Sequence, residues 1–241
     1  MIRRSDAPWL LAVAVCAVLY AGLTVLPNVL QRLDADFPFQ GIEIMGGDQE
    51  HYYAARLDRV LEGEGDTGSI YYSGGPDVPA VASLLPERLI AVPGQAFGLS
   101  AAHVFVLAKF LLSALLFALL TAVSVLLSGR RRAALVAAAA VLCCWFLFSS
   151  PATLLQALRG EPLGTEFLRF SRLSHPLVSS TLFFAALLAL TGWVRWRKPW
   201  MAIACAIFTG MCFYAYPYAW TFLLALLPLV ALRYALVRDW R

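Results

Sequence analysis

The chain is 241 residues long, 61% hydrophobic and only 14% charged, with a mean hydropathy of +0.72. A soluble domain carries roughly a quarter charged residues, so these figures exclude an ordinary water-soluble globule. The formal net charge of +4 does not point to nucleic acid, because the basic residues fall in short segments between long apolar runs. Membrane lipids are the expected surroundings, and no nucleic-acid partner is expected.

A spanning helix requires about 20 predominantly apolar residues. Six runs approach or exceed that length, at about 8–30, 103–128, 133–150, 177–194, 200–216 and 218–236. They predict an all-α fold, a polytopic transmembrane helix bundle of about six spans forming a single domain over 1–241. The first run follows Arg3 and Arg4, yet it is longer than the roughly 7–15 apolar residues of a signal peptide. No small-residue cleavage site follows it convincingly, so it is expected to be retained as a helix.

Alternation of six spans puts Arg3–Arg4, Arg130–Arg132, Arg195–Lys198 and the terminal Arg233, Arg238 and Arg241 on one side. Of the 15 acids, only Asp6 and Asp239 share that side. Short loops rich in Lys and Arg are cytoplasmic, so both termini are expected in the cytoplasm and the acidic loop outside it.

That loop, about 31–102, is the only sizeable segment outside the apolar runs. It carries Asp34, Asp36, Glu43, Asp48, Glu50, Asp58, Glu62, Glu64, Asp66, Asp77 and Glu87 against Arg32, Arg56, Arg59 and Arg88. Within it, "GGDQEHYYAARLDRVLEGEG" (46–65) predicts a helix over 49–62, with Tyr53, Leu57, Val60 and Leu61 on one face and glycines at both ends. Asp58, Glu62, Glu64 and Asp66 make a solvated face. A second amphipathic helix is expected around 80–98, broken by Pro86 and Pro93. Short amphipathic helices here would lie on the bilayer surface or against the bundle.

The second outer loop, 151–176, ends in "EFLRFSRLSHP", where Arg169 and Arg172 interleave with apolar residues. The fifth and sixth runs meet at "YAYPYAW", a tight aromatic turn at the interface, where aromatic belts are common. The five cysteines lie inside apolar runs without C-x-x-C or Cys/His spacing, so neither a disulfide framework nor a zinc site is indicated.

Asp48 stands where a helix starts, and a side-chain bond to an amide two or three residues on would cap that helix. A carboxylate fixed there could equally take a proton from a hydroxyl or hold a divalent cation, with His51 as a second ligand. Glu50 in the first turn is favoured by the helix dipole. Arg169, Arg172 and His175 have the chemistry to hold a phosphate, although arginines at this depth also snorkel to headgroups. Lys109, inside the second apolar run, joins them because intramembrane charge is costly; snorkelling outward is its alternative. Tyr52, Tyr216 and Trp220 could stack on a sugar or a prenyl chain.

A first helix leading straight into an outer loop with "GGDQEHYYAARLDRVLEG", followed by a helix bundle, resembles the GT-C-fold integral membrane glycosyltransferases. The resemblance implies a polyprenyl-phosphate-linked sugar donor and transfer on the extracytoplasmic face of a membrane, here the bacterial cytoplasmic (inner) membrane. It implies Asp48 as the catalytic acid position, with Glu50 second, and "EFLRFSRLSHP" is similar to the arginine-and-proline segment that many bacterial members carry before a spanning helix, which sets Arg169, Arg172 and His175 toward the donor phosphate. The family's usual adjacent acid pair is replaced by Asp-Gln-Glu. Its members have more helices and several hundred residues, so the resemblance implies the amino-terminal part of a longer enzyme, a truncated product or a reduced relative. Two other classes fit the same composition. One is a non-catalytic transporter or lipid-binding or assembly subunit of envelope biogenesis, and the other an O-antigen-type polymerase or ligase.

Overall fold

The computed structural model describes residues 6–33, 50–63, 83–144 and 172–237, together with 155, 159 and 170. In chain order the helices are α1 (Ala7–Leu33), α2 (Glu50–Leu61), α3 (Leu85–Phe97), α4 (Ala101–Ser128), α5 (Arg131–Cys143), α6 (Ser179–Trp196), α7 (Pro199–Ala215) and α8 (Pro217–Val237). A wide helical turn, Leu173–Val178, leads into α6.

Among the described residues, four segments are long and apolar enough to cross a membrane: Ala7–Leu26, Ala101–Ser128, Leu173–Trp196 and Ala219–Leu236. This is the make-up of an integral membrane protein. Helix α7 is equally apolar but has 17 residues, the short end of the spanning range. Helix α5 has 13 residues, and positions 145–150 of the expected third run lie outside the described residues. The helices can hold an apolar surface because a helix bonds its interior backbone N–H and C=O groups within itself, which hydrocarbon demands.

Helix α4 is the hub, packing on α1, α2, α3, α5, α6 and the 173–178 turn. Against α1 it runs antiparallel, with Tyr20 beside Phe117 (ring centroids 6.0 Å apart) and the Thr24 hydroxyl donating to Ser113 Oγ at 3.1 Å. Helices α6 and α7 form the other extensive pair. Gly192 faces Met201 across this pair, where a Cβ would come within 2.8 Å of the Met201 Sδ. Between them Arg197 ends α6 with φ +54° and Pro199 starts α7, so the connection is tight.

Contacts at the two ends of the bundle sort the connections. At one end Arg131 donates to Asp6 at 2.7 Å, tying the start of α1 to the α4–α5 junction. There also, the Arg197 guanidinium lies 4.4 Å from the Tyr234 ring centre, tying the α6–α7 turn to the last turns of α8. The opposite end carries α2, α3, the 173–178 turn and the α7–α8 junction.

Helix α2 forms where its pattern predicts: Ala54, Leu57 and Val60 are buried, and Asp58 and Glu62 are exposed. Helix α3 differs from expectation, because neither proline breaks it. It starts at Leu85, so Pro86 falls in the first turn, where a missing N–H costs nothing. Pro93 sits inside and removes one helical bond, but Ile90, Ala91 and Gly94 are buried and hold the helix in place. Gly98, in the left-handed conformation (φ +61°), ends it.

Candidate functional site

The site lies at the α2–α3 end. The proline at 176 pushes its predecessor towards extended backbone, and His175 accordingly has φ −140° and ψ +119° within the wide turn. That break in the helix turns the imidazole sideways into an aromatic cluster. The His175 ring stacks on Tyr216, with centroids 4.4 Å apart and planes 30° from parallel, and meets Tyr53 edge-on at 5.6 Å. Its Nδ1 is buried and makes no hydrogen bond. Three separate parts of the chain, α2, the turn before α6 and the end of α7, thus converge on one ring.

Beside the ring lies a buried charge cluster. Arg56 of α2 pairs with Glu87 of α3 (Nη2 to Oε2, 3.5 Å), and the two are 2% and 1% exposed. The same guanidinium nitrogen donates to the carbonyl of Ser83 at 2.9 Å. From the other side Ser174 Oγ donates to Glu87 Oε1 at 3.5 Å. Desolvation pushes the Glu87 carboxyl above its usual value, outweighing the opposing pull of Arg56 and the hydrogen bonds. The ion pair and Ser174 therefore lock α2, α3 and the 173–178 turn together.

Among the sequence candidates, the structure brings His175 and Tyr216 into contact. Arg172 flanks them at the start of the wide turn, where its carbonyl accepts from the Leu177 amide at 3.0 Å. Lys109 is 1% exposed, within the body of the bundle instead of snorkelled outward. Trp220 is not part of the His175 cluster; its ring lies flat on Phe213, centroids 4.9 Å apart. Asp48 and Arg169 lie outside the described residues, as do the side chains of Glu50, His51 and Tyr52, whose backbone forms the first turn of α2. Among the described residues no three His, Cys, Asp or Glu side chains group as metal ligands. The candidate cation site at Asp48 and His51 falls outside that description.

Sequence reasoning missed Arg56, Glu87 and Ser174. A signal for Arg56 was present: it sits on the apolar face of α2, three residues after Tyr53 and next to Leu57. Glu87 is similar, three and four residues before the buried Ile90 and Ala91. Ser174 carried no comparable mark.

Away from the charges, α4, α6 and α7 enclose an apolar groove of about 710 Å³. It runs from Ile90 and Pro93 of α3, past Val178, to Trp196 and Trp200 at the opposite end. Val178, three residues after His175, belongs to its lining, whereas Tyr53, His175 and Tyr216 do not. Comparison with protein-family models, with curated proteins and with solved structures returned no match to this chain.

Proposed function

We propose that this chain is a membrane glycosyltransferase that moves a sugar from a polyprenyl-phosphate-linked donor to an acceptor hydroxyl, with a GT-C-like arrangement. The observation that carries the reading is the Tyr53–His175–Tyr216 cluster. It joins the helix that starts two residues after Asp48 to the turn that bears Arg172 and His175. An acid near the first span and a phosphate-binding segment far along the chain must meet for such chemistry, and this contact ties their carriers together.

In this reading the acceptor oxygen attacks the anomeric carbon while the bond from that carbon to the phosphate oxygen breaks. Asp48 takes the hydroxyl proton. The leaving polyprenyl phosphate gathers negative charge, which Arg169, Arg172 and His175 stabilise, His175 through a ring nitrogen that has no hydrogen bond within the protein. Removing one such preorganised donor typically costs about 100- to 1,000-fold in rate. The apolar groove, which Val178 helps to line, suits the hydrocarbon tail.

The topology that goes with it has six spans, α1, α4, α5, α6, α7 and α8, with α2 and α3 on the extracytoplasmic side. Two contacts support the pairing of ends. Asp6–Arg131 and Arg197–Tyr234 gather the basic connections at one end, as the positive-inside pattern requires.

The test uses the protein in nanodiscs with a mixed pool of polyprenyl-phosphate sugars, followed by mass spectrometry for donor consumption. Asp48→Asn is expected to abolish transfer with unfolding unchanged; full activity in that variant removes Asp48 from the mechanism. A cysteine placed at Asp58, an exposed position of α2, is expected to react with an impermeant maleimide added outside intact cells. Protection there combined with labelling in opened cells would invert the topology.

A further inference from the structure

Helices α1 and α4 share a polar seam in an apolar interface. Tyr20 lies beside Phe117, and four residues further along α1, Thr24 bonds Ser113, four residues back along α4. One more step in this antiparallel register sets Asn28 opposite Lys109. Both are 1% exposed. Along this seam the Tyr20 hydroxyl is buried without a hydrogen bond, and Asn28 goes further, because neither its amide nitrogen nor its amide oxygen makes one. A buried polar group left in this state destabilises a fold, and a leucine of similar size would fill the space without that cost.

Depth gives the rung a meaning. The apolar run of α1 extends to about residue 30, so Asn28 lies close to its limit. Helix α4 has 28 residues, about 42 Å at ~1.5 Å per residue, against about 30 Å of hydrocarbon. With Arg130–Arg132 marking the far interface, the excess of about 12 Å projects at the α2–α3 end. Lys109 is eight residues from the start of α4, again about 12 Å. Two independent helices therefore place Asn28 and Lys109 at the same level, the boundary between hydrocarbon and headgroups. A lipid carries its phosphate at that boundary, and an ammonium and an amide N–H are both donors suited to its oxygens.

We infer that Asn28 and Lys109 together form a binding site for the phosphate of a membrane lipid, with Asn28 as the second donor beside the lysine. The inference rests on the donor reading above and deepens it by naming a residue and a depth. The unmet hydrogen-bonding capacity of Asn28 is then capacity reserved for the ligand.

The experiment compares wild type, Asn28→Leu, Asn28→Asp and Lys109→Met in nanodiscs, using a fluorescent polyprenyl phosphate and the matching polyprenol. Wild type is expected to bind the phosphate at least tenfold more tightly than the alcohol. Asn28→Leu is expected to lose about tenfold or more of that preference while melting at the same or a higher temperature. Asn28→Asp, which places an anion at the rung but can pair with Lys109, is expected to lose the preference completely and stay folded. Competition arms with inorganic phosphate and phosphatidic acid separate the sources. Displacement only by lipid phosphates is expected, and displacement by inorganic phosphate alone would overturn the lipid assignment. An unchanged preference in Asn28→Leu, or no preference in wild type, overturns the site. Sugar transfer measured on the same samples separates the two proposals. Lost preference without transfer in wild type leaves the site standing and removes the donor reading, whereas transfer with unchanged preference in Asn28→Leu does the opposite.

Discussion

At one end of the bundle Arg131 meets Asp6 at 2.7 Å, with both side chains partly in solvent; at the other Arg56 meets Glu87 at 3.5 Å, with both sealed from it. The shorter pair is the weaker contributor. An exposed pair recovers little Coulomb energy in water and contributes about 0–1 kcal/mol. The buried pair has surrendered its hydration, so each charge depends on the other, and losing one partner strands its mate. The basic end carries a solvated pair, and the α2–α3 end holds charge in a fixed place. That contrast directs attention to the α2–α3 end as the working one.

The contrast can be broken most severely at Arg56. Arg56→Met leaves Glu87 buried without its counter-ion and is expected to cost about 3–5 kcal/mol, read as a lowered unfolding temperature in detergent. Adding Glu87→Leu to that variant should recover most of the loss; no recovery would mean that Arg56 matters for something other than the pair. Next comes His175→Phe, which keeps a ring against Tyr216 and Tyr53 but removes the nitrogens. Stability should hold while transfer drops about 100-fold, and unchanged transfer would confine His175 to packing.

A gentler effect is expected from pH. The folded Glu87 carboxyl titrates above its usual value near 4.5, so the fold binds that proton more tightly than the unfolded chain does. The contribution is present below that usual value and is lost as pH rises through the folded one. Melting temperatures of wild type relative to Glu87→Gln should therefore fall as pH rises from about 4.5, and parallel curves would contradict the shift. Arg131→Ala should do least, at or below about 1 kcal/mol; a loss comparable with Arg56→Met would erase the distinction between the ends.

How much of this was legible in the amino-acid order differs from element to element. The runs at 103–128, 200–216 and 218–236 match α4, α7 and α8 within two residues, because charges, glycines and prolines bracket apolar stretches. The 8–30 run ends three residues short of α1, since Gln31 and Arg32 do not end a helix that has left the hydrocarbon. Pro86 and Pro93 misled, because composition does not say which helical turn a proline will occupy. The meeting of His175, Tyr53 and Tyr216 depends on contacts more than forty residues apart in sequence, which no local periodicity encodes. Asn28 was invisible for the same reason: one amide at the end of an apolar run stands out only once the register with α4 is known.

The unequal arms of the α6–α7 hairpin impose a constraint of their own. From the tight turn at Arg197, one arm extends 24 residues back to Leu173 and the other 17 residues on to Ala215. The longer arm bends at His175 and folds over the tip of the shorter one, where Tyr216 waits. Each residue added to or removed from α7 would move Tyr216 by about 1.5 Å and swing it about 100° around the helix. Chain length, measured off from a turn at the other end of the bundle, therefore sets the alignment of the aromatic cluster. Point changes along α7 should be tolerated far better than a single insertion.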